Sequence, residues 1–118
     1  MHELPITQEI IRIACEEATK VHAKAIKEIN LVVGDMSGMI DDSIRFYFDT
    51  LAKGTLAQGS VINILRKSVI VRCSSCEYTF SPSGDMLNWE CPQCHQWAVQ
   101  ILQGQEFLVD SIEVEDEG

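Results

Sequence analysis

With 118 residues, 46% hydrophobic and 23% charged, the chain is long enough for one compact unit or one unit with a small appendage. That composition excludes a disordered, collagenous or low-complexity chain. Residues 1–72 carry nine acids and nine Lys or Arg, whereas residues 73–118 carry nine acids and no Lys or Arg, so the net charge of -9 sits wholly in the later segment. A phosphate-neutralising surface needs clustered Lys and Arg, which excludes that segment as a grip for nucleic acid or an anionic membrane.

Near the N-terminus, Pro5 suits the first turn of a helix, and Ile6, Ile10, Ala14, Ala18, Val21 and Ala25 recur on one stripe, predicting an amphipathic helix from about Pro5 to His22. Ile29, Leu31 and Val33 alternate up to Gly34-Asp35 in a β-branched segment, the pattern of a strand. Asp41 or Asp42 can cap a second helix whose Ile44, Tyr47 or Phe48, and Leu51 share an aromatic-rich, buried face, with Gly54 as its stop. Val61, Ile62, Ile64 and Leu65 predict a further strand, and Val69-Ile70-Val71 leads into Cys73. Phe107 to Val114 returns as a late strand with Leu108, Ile112 and Val114 facing one way, and the last six residues fray as an acidic tail. The expected fold is α+β: two helices flanking a small mixed sheet, with a zinc-ribbon-like four-cysteine module. The charge break and the first cysteine place a boundary near Arg72.

No apolar run reaches the roughly 18 to 20 residues that span a bilayer. The Met1-His2-Glu3-Leu4-Pro5 start lacks a basic stretch, and Glu3, Glu9 and Arg12 interrupt the apolar stretch that an export signal would need. The expectation is a soluble, unexported, cytoplasmic protein in which five cysteines serve as metal ligands and a buried thiol rather than as disulfides. Cys15, beside Ile11, Ala14 and Ala18, takes the role of the buried thiol.

Cys73-Ser-Ser-Cys76 and Cys91-Pro-Gln-Cys94 are two C-x-x-C pairs fourteen residues apart. Each pair wraps a tight turn around one corner of a metal, and a hairpin brings the four thiolates into a tetrahedron. The residues from Cys73 to Cys94 are too few to bury a core of their own, whereas a structural zinc supplies about 10 to 16 kcal/mol of apparent binding energy. Tyr78, Phe80, Trp89 and Trp97 are the expected apolar cap over the site. Disulfides need an oxidising compartment, and a redox motif of the thioredoxin kind needs no matching second pair. Cys91 to His95 also matches the C-x-x-C-H haem-attachment signature, which the expected lack of export opposes. Iron on four thiolates shares the tetrahedral geometry, but zinc is the usual ion of closed four-cysteine sites and is the expected one. His95 is a surface residue after the second pair, with exchange for a sulfur as its other reading.

At the other end, an α-amine, a backbone amide nitrogen and the His2 ring close a chelate of planar nitrogen donors suited to Ni²⁺ or Cu²⁺. An ordinary exposed N-terminus is the rival reading of so short a motif. Met1-His2-Glu3-Leu4, a helix, the Val32-Val33-Gly34 strand end and the two cysteine pairs together resemble the HypA/HybF family of hydrogenase nickel-insertion proteins over essentially the whole chain. The resemblance implies a nickel-binding α/β domain at residues 1–71 plus 106–118 and a zinc-binding domain at 72–105. It implies nickel at Met1, His2 and Glu3, with His2 the essential ligand, and structural Zn²⁺ at Cys73, Cys76, Cys91 and Cys94. It further implies a nickel metallochaperone that takes Ni²⁺ as transferred cargo, with the nickel-binding GTPase HypB and the NiFe-hydrogenase large-subunit precursor as partners. Pro5 stands where the family often has a small polar residue. The alternative is a zinc-ribbon interaction or regulatory module without nickel transfer. An enzyme is not expected: four cysteines leave no open metal position, and no nucleophile–base set, P-loop or dinucleotide fingerprint occurs.

Overall fold

The structure is a computed structural model that describes residues 3–82 and 89–116. Its first helix, α1 (Glu3–Lys20), buries Ile10, Ala14 and Ala18 of the predicted stripe, with Ile11 buried beside them. It begins two residues before Pro5, which still falls in the first turn, where a backbone N–H has no helical partner to lose. Thr7 is fully buried, and its hydroxyl donates to the Glu3 carbonyl at 2.5 Å. The helix stops because His22 turns left-handed (φ 56°), so that the His22 N–H meets the Thr19 carbonyl at 3.0 Å and the Ala23 N–H meets the Ala18 carbonyl at 3.0 Å. This is the paired bonding that usually recruits glycine at a helix end. Val21, expected on the buried stripe, lies beyond that stop and is 63% exposed.

Strand β1 (Ala25–Gly34) starts earlier than the alternation predicted and runs through the middle of a mixed sheet. It turns Ile29, Leu31 and Val33 inward at 0 to 1% exposure. The next helix, α2 (Asp41–Leu51), presents Ile44 and Phe48 to the same core. Its N-cap is Ile40, without a side-chain cap bond, rather than either aspartate. Asp41 and Asp42 instead occupy the first turn, where the helix dipole favours negative charge. Of the expected Ile44, Tyr47 or Phe48, Leu51 face, Ile44 and Phe48 fill the inward positions, while Phe46, off that face, is 69% exposed and meets Tyr47 edge-to-face.

Strand β2 (Val61–Lys67) pairs parallel with β1, a connection that requires a crossover, supplied by α2. The later strands are β3 (Ile70–Cys73), β4 (Thr79–Phe80), β5 (Val99–Gln103) and β6 (Phe107–Glu115). The last of these returns antiparallel along the other side of β1, giving the order β2-β1-β6. Its register jumps between Val109 and Ser111, so Asp110 is an extra residue in a bulge. The bulge reverses which side chains face inward: Phe107 and Val109 pack on the core ahead of it, Ile112 and Val114 after it. Leu108, expected beside Ile112 and Val114, consequently lies on the opposite face at 45% exposure.

A second sheet, ordered β4-β3-β5 and wholly antiparallel, grows from the same chain. The β1 end locks the passage between the two sheets: Asp35 N–H donates to Lys67 O at 2.9 Å, Met36 N–H to Gly104 O at 2.7 Å and Gly34 N–H to Glu106 O at 2.7 Å. Gly34 has no room for a side chain there, since a Cβ would lie 2.1 Å from the Gly104 oxygen. The buried apolar cluster belongs to the first sheet and its helices, while the second sheet adds Val69, Val71 and the sulfurs of Cys73 and Cys91. At about 1.5 to 3 kcal/mol per buried aliphatic side chain, two valines cannot offset roughly 1 to 2 kcal/mol of backbone ordering for each residue of that module. Among the described residues no helix is long and apolar enough to cross a membrane.

Candidate functional site

The four paired cysteines converge. Cys73 ends β3, Cys76 comes next in the turn to β4, and Cys91 and Cys94 come from the second turn before β5. Their sulfurs all lie within 4.8 Å of one another, with Cys73 and Cys94 3.4 Å apart and Cys76 and Cys91 3.5 Å apart. A tetrahedron with metal–sulfur bonds of about 2.3 Å has sulfur–sulfur edges of about 3.8 Å. The cluster therefore matches the size a four-thiolate metal centre demands.

The two turns repeat one bonding scheme. In the first, the Cys73 N–H donates to Tyr78 O at 2.8 Å and the Glu77 N–H to Cys73 O at 2.9 Å; in the second, the Cys91 N–H donates to Gln96 O at 2.9 Å and the His95 N–H to Cys91 O at 2.9 Å. Glu77 (φ 66°) and His95 (φ 64°) both take the left-handed conformation that closes each loop, although neither is glycine. The backbone N–H groups of Cys76 and Ser75 aim at the Cys73 sulfur, and those of Cys94 and Gln93 at the Cys91 sulfur. Each turn is thus a half-shell of amide donors around an anionic sulfur.

These donors set the charge on the cluster. The Cys76 backbone, with that of Ser75, brings the Cys73 thiol down to about 6. The Tyr78 amide favours the Cys76 thiolate, yet desolvation and the crowding sulfurs of Cys91, Cys94 and Cys73 push that thiol up to about 12. Burial resists ionisation of Cys91, but the Cys94 and Gln93 amides bring it below its ordinary value. Four sulfurs this close cannot all ionise unless a cation shares the site. One thiolate per turn is favoured, and a divalent ion would make the remaining two ionise.

The four aromatic residues expected to cap the site differ in burial. Phe80 and Trp89 are half-buried, whereas Tyr78 is 39% and Trp97 62% exposed. Tyr78 stacks on Phe80 with ring centroids 6.2 Å apart. Trp97 stays in solvent because this module has no core deep enough to take an indole. His95 turns its Nδ1 to the Glu90 carboxylate at 2.8 Å, with its side chain 70% exposed. Cys15, expected to be a buried thiol, is only half-buried on α1, packed against the main core.

Of the N-terminal donors, Met1 and His2 lie outside the described residues. Glu3 opens α1, is buried at 5% exposure, and its side chain meets the backbone of Ile40 ahead of α2. The loop joining β1 to α2 thereby runs from that contact back to Met36, which bonds Gly104 at the passage between the sheets. The sequence carries no signal for this contact, since it depends on the placement of residues far apart in the chain.

An α+β chain with two helices on a small mixed sheet and a four-cysteine cluster on a second sheet defines a class of small metal-handling proteins. Comparison with known proteins narrows it. The family described as "Hydrogenase/urease nickel incorporation, metallochaperone, hypA" matches residues 1–114, and the chain belongs to that family. Hydrogenase maturation factor HypA of Dehalococcoides mccartyi strain CBDB1 is 39% identical over 117 residues, covering 99% of this chain and 97% of the relative. The protein of the same name from Caldanaerobacter subterraneus subsp. tengcongensis is 36% identical over 118 residues, covering 98% of this chain and all of the relative. A solved structure described as the solution structure of HypA protein aligns with a TM-score of 0.74 at 28% identity, covering 99% of this chain and 98% of that one. The solution structure of the Ni metallochaperone HypA from Helicobacter pylori aligns with a TM-score of 0.68 at 26% identity, covering 98% of each chain.

Proposed function

We propose that this chain is a cytoplasmic nickel metallochaperone that binds Ni²⁺ at its N-terminus and delivers it during maturation of a NiFe-hydrogenase, while Zn²⁺ at the four cysteines holds the second sheet together. The observation that carries the reading is the match to the nickel-incorporation family over residues 1–114, a span that includes both the Met1-His2-Glu3 start and the cysteine pairs. Nickel is cargo. Its donors are the α-amine of Met1, a backbone amide nitrogen and the His2 imidazole, with Glu3 completing the motif. Planar nitrogen ligation favours Ni²⁺ or Cu²⁺, and a site with open sides exchanges its ion by ligand replacement. Residues 1–71 with 106–118 form the nickel-binding domain, and residues 72–105 the zinc-binding domain.

At Cys73, Cys76, Cys91 and Cys94 the donor set fits zinc: four sulfurs within 4.8 Å, two of them already served by paired backbone amides. Bound there, Zn²⁺ supplies cross-linking energy of about 10 to 16 kcal/mol to a module that lacks a core. All four positions are protein sulfur, so the centre has none left for water or substrate, and the chain itself catalyses nothing. Nucleotide hydrolysis in the pathway belongs to a partner, the GTPase HypB, and the final recipient is the hydrogenase large-subunit precursor.

The test is a calorimetric nickel titration of zinc-loaded protein, comparing the native N-terminus with His2→Ala and with a form extended before Met1. Stoichiometric nickel binding lost in both variants, with zinc content unchanged, is the expected result. Equal binding in all three forms would remove the N-terminal site and leave a zinc-ribbon interaction module as the better account. The exposed Tyr78 and Trp97 on an acidic surface are the observation that favours that second reading.

A further inference from the structure

Among the described residues the outer edge of β6 has no strand beside it, and α1 packs next to it. Between them runs a groove of about 290 Å³, lined by Ile6, Glu9, Ile10 and Ile13 of α1 and by residues 107–109 of β6. Its walls are almost wholly apolar, and its volume takes one or two large aliphatic or aromatic side chains. The backbone at Phe107–Val109 continues up to the Asp110 bulge, which interrupts the pairing with β1 before it resumes at Ser111. The groove therefore offers a short stretch of strand edge above an apolar trough.

The charge around it selects what fits. Asp110, Glu113 and Glu115 lie along β6 and Asp116 comes directly after it, with no Lys or Arg anywhere in residues 73–118. On the helix side, Arg12 is bound by both Glu9 and Glu16, which leaves that wall with a net negative charge. A second copy of this chain pairing β6 against β6 would set acids against acids, which is destabilising across a strand pair. A strand carrying Lys or Arg between apolar side chains would meet opposite charge along the edge and fill the trough beneath it.

We propose that this groove is the docking site for an extended segment of a partner protein, in which apolar residues alternate with Lys or Arg, added as a short strand to the β6 edge. The site gains meaning from its position. Ile6 lies one helical turn from Glu3, so a segment seated here ends close to the start of α1. The docked segment then belongs to the protein that gives or receives the nickel, a step that rests on the metallochaperone reading; the groove and its charge do not.

The test uses full-length, zinc-loaded, nickel-free protein, so that its outcome is separate from nickel binding. A displayed library of random decapeptides is selected on the native chain and on Ile13→Glu, and the selected peptides are titrated by fluorescence anisotropy. The expected result is a consensus of Lys or Arg alternating with Ile, Val or Phe, and at least tenfold weaker binding to Ile13→Glu at unchanged zinc content and helical signal. Asp110→Lys, at the exposed bulge, weakens the same peptides by severalfold, and hydrogen exchange slows at residues 107–109 when peptide binds. Selection of acidic peptides, no enrichment over the Ile13→Glu control, or exchange protection confined to other residues would overturn the proposal. So would concentration-dependent dimerisation of the native chain through β6, which would assign the groove to a second copy.

Discussion

Replacing Gly34 by alanine tests the passage between the sheets. An alanine Cβ would lie 2.1 Å from the Gly104 oxygen, 2.2 Å from its carbonyl carbon and 2.7 Å from the Gln105 nitrogen. All three are backbone atoms, so no side-chain rotation relieves the clash, and the two segments must part by about an ångström. Parting them breaks the Met36 N–H to Gly104 and Gly34 N–H to Glu106 bonds, each 2.7 Å long. Gly34 and Gly104 are both buried, so the separated groups do not regain water easily. At about 1 to 3 kcal/mol for each of the two N–H groups left unpaired, the cost is about 2 to 6 kcal/mol. For a chain of this size that lowers the melting temperature by about 10 °C. Thermal melts of the zinc-loaded protein by circular dichroism measure it, with Gly38→Ala as the comparison. Gly38 has a positive φ of 79° but nothing within 4 Å of its Cβ, so alanine there carries the conformational cost alone, about 1 kcal/mol. A Gly34→Ala melt within about 3 °C of the parent, or above that of Gly38→Ala, would refute the steric argument.

Other consequences are open to measurement. Cys91 is fully buried in the cluster, so Cys91→Ser should lose stoichiometric metal and red-shift the emission of half-buried Trp89, while the far-ultraviolet helix signal persists. Unchanged emission in that variant would show that the metal does not order the module. Glu28 and Glu113 stand opposite each other in the β1–β6 register, and the Glu28 carboxyl raises that of Glu113 while its own is lowered by Glu113 and Asn63. A raised carboxyl contributes stability below its unfolded value and loses it as pH rises through the folded one; the lowered partner does the reverse. Glu113→Gln, which keeps the donor at every pH, should therefore melt above the parent at pH 7, with the gap closing towards pH 4. A gap of constant size between those pH values would sink the shared-proton account.

Much of this architecture could be read from local patterns. The apolar spacing of α1 and the alternation in β1 are set by what each residue does within its own element, and the cysteine pairs carry their geometry in their spacing. What escaped prediction depended on partners. The Asp110 bulge exists only relative to the register of β1, and it is the bulge that turns Leu108 outward. The left-handed residues His22, Glu77 and His95 are held by hydrogen bonds that close a helix end or a cysteine turn, where composition alone would look for glycine. Trp97 reads as a buried residue by hydrophobicity, yet the module that carries it has too little interior to bury it. Strands β4 and β5 are short and come after the cysteine turns, so they show no alternation long enough to recognise.

The chain order of the two sheets would give a metal bound at the cysteines a role at a distance. β6 must pair with β1, but residues 68–106 intervene between β2 and β6, and those residues hold the whole second sheet. While that stretch is unfolded, bringing β6 home closes a loop of roughly 40 residues; once the cysteine turns are cross-linked, the flexible remainder shrinks to about five. By the (3/2)RT ln n scaling of loop entropy, the difference is about 2 kcal/mol in favour of docking β6. An ion bound at the four cysteines would thus promote completion of the first sheet simply by shortening the tether.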